Sequence, residues 1–193
     1  EILSILEEKK FEFNSIKMLA SSRSAGSKLD FMGKEYTVIE AKPEEFDGVD
    51  IVLASAGGST SLALAKEAAK RGCVYIDNSS AFRMDADVPL VIAGVNDDDL
   101  KMHKGIVANP NCSTSQLMLV LKPLHDYANI KRLVVSTYQA VSGAGLAAMN
   151  ELTDNSKVNL VGMPYENKVF KYEIGFNLIP QIDSFTENGY TKE

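Results

Sequence analysis

The chain has 193 residues, 45% of them hydrophobic and 24% charged, enough for one full domain and part of a second and outside the range of disordered or fibrous proteins. Its formal net charge of −6, with no Lys/Arg-rich block, lacks the electrostatic footprint of a protein that binds polyphosphate backbones, so nucleic acid is excluded as a partner. Cys73 and Cys112 are too few and too far apart for a disulfide framework or a thiolate metal site, and no apolar run reaches the roughly eighteen residues of a membrane span; the expectation is a metal-free protein of a reducing, cytoplasmic compartment with no membrane partner.

Ile2, Leu3, Ile5 and Leu6 recur at helical spacing and predict an amphipathic helix over residues 1–9. It has no visible N-cap and no initiator Met, so the chain is expected to begin inside an element. Residues 16–20 form a strand candidate that ends in the polar turn Ser21-Ser22-Arg23-Ser24-Ala25-Gly26, and residues 35–39 alternate well enough to be another. Asp50-Ile51-Val52-Leu53-Ala54-Ser55 contains a continuous apolar run, the pattern of a parallel strand buried on both faces. Ala56-Gly57-Gly58-Ser59-Thr60 turns it into a helix with Leu62, Ala65 and Ala69 on one face and Gly72 at its end. Cys73-Val74-Tyr75-Ile76 is the next strand, followed by Asp77-Asn78-Ser79-Ser80. Strand, glycine turn, helix and strand in close succession make a βαβ unit, so the expected architecture is α/β with a doubly wound, Rossmann-type sheet.

Residues 88–92 and 105–108 read as short strands around a small helix near residues 97–103. A second amphipathic helix follows Asn111 and carries Leu117, Val120, Leu121 and Leu124 on one stripe. Residues 130–138 make a long β-branched strand, after which the sequence becomes loop-rich through Glu193.

In Asn109-Pro110-Asn111-Cys112-Ser113-Thr114-Ser115, Pro110 biases Asn109 away from helix and Asn111 is a favoured N-cap, which puts Cys112 in a first helical turn. There the unpaired N–H groups and the positive end of the helix dipole favour a thiolate, so Cys112 is the candidate nucleophile. Cys73, inside an apolar strand, reads as a small buried hydrophobe. Gln139 sits at a strand end and can both donate and accept hydrogen bonds, and Gly143 and Gly145 in the following turn permit close backbone approach to a ligand. His103 and His125 read as structural or solvent-facing.

Asn109-Pro110-Asn111-Cys112-Ser113-Thr114, with Ser136-Thr137-Tyr138-Gln139-Ala140-Val141-Ser142-Gly143-Ala144-Gly145, resembles the bacterial aspartate-semialdehyde dehydrogenase family. Ser79-Ser80-Ala81-Phe82-Arg83 and Phe176-Asn177-Leu178-Ile179-Pro180-Gln181-Ile182-Asp183 match that family's motifs in the same order. The resemblance implies NADPH-dependent reduction of L-aspartyl 4-phosphate to L-aspartate 4-semialdehyde with release of phosphate, in lysine, threonine and methionine biosynthesis. In it Cys112 matches the nucleophile that forms a thioester, and Gln139 the residue that orients the acyl intermediate. Arg83 and Asn111 match phosphate-binding positions, and Glu193 the acid that holds the substrate amine. Arg23 and Ser24 follow the second strand of the fold, where an Arg in place of an acid accommodates a 2′-phosphate and favours NADP over NAD. Ser142 and Gly143 match a further cofactor contact, and Ser55, Ala56 and Gly57 lie at a strand end where open α/β sheets bind ligands. A small-molecule substrate and a homodimer or homotetramer built through the second domain are implied as well.

The same resemblance puts a first strand and a glycine-rich phosphate loop before Glu1, and an Arg, a Lys and a general acid–base His after Glu193. The expectation is therefore a cofactor domain over residues 1–111 without its first strand, the opening part of an α+β catalytic and dimerisation domain over residues 112–193, and no turnover by these residues alone. Two alternatives stand beside this reading. An enzyme like N-acetyl-glutamyl-phosphate reductase runs the same thioester chemistry, but flanks its Cys with a Gly and a bulky residue where Asn111 and Ser113 stand here. A non-catalytic nucleotide-binding protein derived from the family is the alternative of another class.

Overall fold

Leu3 and Leu6 turn the first helix, α1 (Ile2–Glu8), onto a small cluster built on Met18, Phe31 and Val38. In the computed structural model, which describes residues 2–191, this cluster belongs to the first of two compact units, residues 1–132 and 133–193. Strand β1 (Leu19–Ala20) is shorter than the predicted 16–20. Next comes a hairpin of β2 (Lys28–Phe31) and β3 (Lys34–Thr37), with Phe31 opposite Lys34. Strand β4 (Ile39–Glu40) then returns parallel to β1. Met32 and Gly33 both have positive φ, as a two-residue hairpin turn requires. Because Met32 is not a typical turn residue, β2 is not legible as a strand beforehand.

The predicted βαβ unit is present, but its first strand is not buried on both faces as expected, because Ile51 and Leu53 on one face are exposed. Strand β5 (Ile51–Ala54) leads through Gly57 into α2 (Gly58–Lys70) and then β6 (Val74–Asp77). With β7 (Ile106–Ala108) these strands form a parallel sheet of order β5-β6-β7, so β6 is central and its end at Asp77 lies between Ala54 and Ala108. The buried face of α2 is Ser61, Ala65 and Ala68, while Leu62, expected on that face, is 61% exposed. Small side chains face inward because the helix lies close against the sheet. A Cβ added at Gly105 would come 2.7 Å from the Ala69 Cβ and 3.2 Å from its Cα. Phe46, Cys73, Tyr75, Phe82 and Ile106 complete the core, with Phe46 and Tyr75 packed edge to face. The Cys73 thiol donates to the Phe46 carbonyl at 3.3 Å, and burial pushes its pKa up, as suits an inert core thiol.

The predicted strand over residues 88–92 is reduced to one bridge between Leu90 and Ala108, and the small helix appears as a 3-10 turn, Asp97–Met102. Helix α3 (Cys112–Ala128) begins where its cap predicts and ends at Asn129 in the left-handed region. Its apolar stripe is only partly covered: none of its side chains is fully buried.

In the second unit two expectations fail. Residues 133–140 run without a ladder instead of continuing the predicted strand 130–138, and Val134 is 79% exposed. β-branched residues favour a strand only where a neighbouring edge is there to pair with. The predicted loop-rich stretch contains α4 (Leu146–Leu160), which buries Ala148, Glu151 and Asn155. Polar residues on the buried face break the apolar period that would announce a helix.

Gly105 combines φ of +95° with the contact to Ala69, so Gly105→Ala is expected to destabilise the first unit by about 2–4 kcal/mol. A denaturant midpoint equal to that of the parent would contradict this account of the α2–sheet contact.

Candidate active site

Asp77 is fully buried, and its carboxylate is met by hydrogen-bond donors. The Ser61 hydroxyl donates to Oδ1 at 2.6 Å, the Ser79 N–H to Oδ1 at 3.0 Å and the Ser79 hydroxyl to Oδ2 at 2.8 Å. Ser79 Oγ in turn accepts the Ala81 N–H at 3.1 Å, tightening the turn that leads to buried Phe82 and half-buried Arg83. Arg83 reaches back across the sheet end. Its Nε donates to the Asn109 carbonyl at 2.8 Å and an Nη to the Asn78 carbonyl at 3.4 Å. The Asn109 N–H donates to the Asp77 carbonyl at 2.8 Å, so the Arg83 turn and the Asn109 turn are tied together at the C-terminal ends of β6 and β7.

From Asn109 the chain passes buried Pro110 to Asn111, whose side-chain oxygen accepts the Ser113 N–H at 2.8 Å. That is the N-cap expected from the sequence. Cys112 is the first residue of α3 and is exposed. The Arg83–Asn109 bond thus joins the Arg83 turn to the segment that leads through the Asn111 cap to Cys112, and the Asp77–Ser61–Ser79 cluster beneath it was not among the residues expected from the sequence. The available signal was a carboxylate ending a buried strand and followed two residues later by Ser.

The remaining candidates in this unit lie on exposed turns. Ser55, Ala56 and Gly57 follow β5, and Gly57 has φ of +87° with open space where a Cβ would stand. Arg23 and Ser24 lie in the turn after β1, where the Ser24 and Ala25 N–H groups share the Ser21 carbonyl. His103 holds the Gly105 N–H on Nδ1 at 3.1 Å, and His125 is exposed on α3. Among the described residues no group of His, Cys, Asp or Glu could hold a metal, and no helix is long and apolar enough to cross a membrane.

In the second unit, Gln139 lines a recess of about 200 Å³ with Thr137, Ile179, Pro180, Gln181 and Thr191. Ser142 and Gly143 lie exposed in the 3-10 turn Val141–Ala144, which Gly145 closes at the start of α4. One stripe of α4 fixes an irregular segment that precedes the recess. Glu151 accepts the N–H groups of Lys168, Val169 and Phe170 at 2.7–2.8 Å, Asn155 accepts the Gly175 N–H, and Asn159 donates to the Gly175 carbonyl. Burial alone would raise the Glu151 pKa, but the N–H groups of Phe170, Lys168 and Val169 outweigh it and hold the carboxyl below its ordinary value. Glu193 lies outside the described residues.

Comparison with known proteins gives a consistent picture. Residues 1–103 match the model of the semialdehyde dehydrogenase NAD binding domain, and residues 121–193 that of the semialdehyde dehydrogenase dimerisation domain. The aspartate-semialdehyde dehydrogenase of Bacillus subtilis is 50% identical, matched over all of this chain and 58% of its own length. That of Aquifex aeolicus is 54% identical over 99% of this chain and 57% of its own. The crystal structure of aspartate semialdehyde dehydrogenase II complexed with ASA from Vibrio cholerae superposes with a TM-score of 0.90 at 46% identity, over 99% of this chain and 57% of that one. The chain thus spans somewhat over half the length of the curated relatives it matches.

Because the folded pKa of Glu151 is lowered, its contribution is present above the unfolded value of about 4.3 and is lost as pH falls through the folded value. Glu151→Gln should therefore cost about 2 kcal/mol at pH 7, and the gap should close below about pH 4. Denaturant unfolding followed across that range checks this, and a gap constant with pH would contradict an ionised Glu151.

Proposed function

The chain belongs to the semialdehyde dehydrogenase family, and on that premise we propose that it carries the nucleophile and the phosphate-binding side chains for reductive dephosphorylation of L-aspartyl 4-phosphate to L-aspartate 4-semialdehyde with NADPH. The observation that supports this best is the Arg83–Asn109 hydrogen bond, which brings a guanidinium to the turn that presents Cys112.

Cys112, as thiolate at the positive end of α3, attacks the acyl carbon of the substrate. The new carbon–sulfur bond forms as the carbon–oxygen bond to phosphate breaks, and phosphate leaves with that electron pair. Arg83 and Asn111 hold the phosphate group, the first through parallel N–H donors of its planar fork. The Gln139 amide orients the acyl group, and Glu193 receives the substrate amine. Release of the aldehyde breaks the carbon–sulfur bond and returns the electron pair to Cys112 as thiolate.

The residues present fit the cofactor. Gly57 leaves open space at the N-terminus of α2, where unpaired N–H groups suit a phosphate, and Arg23 is an exposed cation in the turn after β1, suited to a 2′-phosphate. When bound, NADPH supplies the hydride that reduces the acyl group. Ser24, Ser55, Ala56, Ser142 and Gly143 complete the contacts. The division of labour falls at residues 111 and 112, between cofactor binding and catalysis with dimerisation. The whole protein is a cytoplasmic homodimer or homotetramer of amino-acid biosynthesis, serving lysine, threonine and methionine.

In the complete enzyme Cys112→Ala should lower the phosphate-dependent oxidation of aspartate semialdehyde by about 10³-fold or more. Retention of that activity would sink the assignment. Arg23→Ala should raise the KM for NADP about tenfold or more while leaving that for NAD nearly unchanged, and equal effects on both cofactors would remove the 2′-phosphate role.

A further inference from the structure

We propose that Asp77 is a positioning residue for this chemistry: its buried carboxylate, gripping Ser61 and Ser79, fixes the turn from which Arg83 reaches the Asn109 carbonyl beside Cys112. The proposal rests on the reading of Arg83 as a phosphate-binding residue.

A carboxylate with no exposed surface is costly unless donors replace its water, and among the described residues the donors it receives come from Ser61 and Ser79. The sheet itself does not need an acid at this position, because the pairing of β6 with β5 and β7 is made by main-chain groups. What the acid adds is a fixed direction for the chain after β6. Ser79 is held twice, through its N–H and its hydroxyl, and passes the restraint on by accepting the Ala81 N–H. Two residues later Arg83 leaves with its Nε and one Nη committed to the Asn109 and Asn78 carbonyls. Asn109 is itself bonded to the Asp77 main chain. Asp77, Asn78, Ser79, Arg83 and Asn109 therefore form a closed loop of contacts with the carboxylate inside it.

Because a guanidinium is a rigid fork, fixing Nε and one Nη also fixes where its remaining N–H groups point. Loosening Ser79 lets that fork swing. A misplaced fork weakens the hold on phosphate, whereas aldehyde binding and cofactor binding depend on other side chains.

The test uses the complete enzyme in the phosphate-dependent oxidation of aspartate semialdehyde, with inorganic phosphate as the varied ligand. Ser79→Ala should raise the KM for phosphate about tenfold while the KM for semialdehyde and for NADP stays within about twofold, and Asp77→Asn, which also loosens Ser61 in the first turn of α2, should raise the KM for phosphate at least as much. Ser79→Thr, which keeps the hydroxyl, should restore the phosphate KM to within about threefold of the parent. Should Asp77→Asn fail to fold, the Ser79→Ala and Ser79→Thr pair decides the matter, with thermal melting run beside the kinetics. A folded Ser79→Ala enzyme with unchanged phosphate KM, or one in which all constants worsen together, overturns the positioning role. Arg83→Lys separates the two levels. If it raises the phosphate KM while Ser79→Ala does not, only the positioning role fails; if it leaves the phosphate KM unmoved, the reading of Arg83 fails and the positioning role falls with it.

Discussion

The carboxylate at the end of β6 is the constraint around which the first unit is arranged. The central strand of a sheet has apolar neighbours along its buried face, and a charged group on that face is stable only at the strand's end, where side chains from the next turn can reach it. Asp77 occupies that place, and Ser79 folds back onto it as an Asx-type turn, which ends the ladder and redirects the chain. Phe82 is then driven into the core while Arg83 beside it is held at the surface by carbonyl oxygens. The segment is thus fixed from below by an apolar anchor and from behind by a polar one. α2 is tied to the same acceptor through Ser61, in the first turn after Gly57. The cofactor-side turn and the Arg83 turn therefore share one buried group.

The second unit solves a similar problem with different donors. Its irregular segment 163–183 has no ladder to satisfy its main chain, and α4 offers Glu151, Asn155 and Asn159, one helical turn apart, as partners. Among the described residues the donors to Glu151 are backbone N–H groups, so it constrains the path of residues 168–170 and not their identity. Asp77 receives two hydroxyls and so demands Ser or Thr at positions 61 and 79. At Gly175 the restraint does become one of identity. A Cβ there would come 2.6 Å from the Asn155 Oδ1 and 2.9 Å from the Ser156 N, so the segment lies too close to the helix for any side chain.

Much of this was legible beforehand, and the parts that were not share a cause. The βαβ unit could be read because its strands are apolar without interruption and Gly57 punctuates them, although that apolar run did not mean burial on both faces: Ile51 and Leu53 of β5 are exposed. The start of α3 could be read because a cap is a local device: Pro110 and Asn111 act on the residues next to them. Leu62 was misplaced because hydrophobicity alone ranks it above Ser61, while the close approach of α2 to Gly105 selects small residues. α4 was missed because its buried face carries an acid and an amide whose partners lie 16 to 20 residues further on. Gln139 was expected as a polar strand-end residue, but no strand precedes it, and the recess it lines is built from residues near 180, a relation no local pattern encodes.

A net charge of −6 sits oddly beside an anionic substrate until the individual arginines are compared. Arg71 is matched by carboxylates: its guanidinium lies 3.2 Å from Asp47 and 3.1 Å from Glu67, and its positive charge is largely cancelled where it stands. Arg83 is held instead by the carbonyls of Asn78 and Asn109. Those dipoles orient the side chain without removing its charge. Of the carboxylates near it in sequence, Asp85 accepts the Asp87 N–H, Asp87 pairs with Lys104, and Asp77 is already engaged by Ser61 and Ser79. The serines thus do more than stabilise a buried acid: by occupying it, they keep a fixed arginine unneutralised at the turn before an exposed helix N-terminus, where a bulk count of acids and bases has no bearing on an incoming anion.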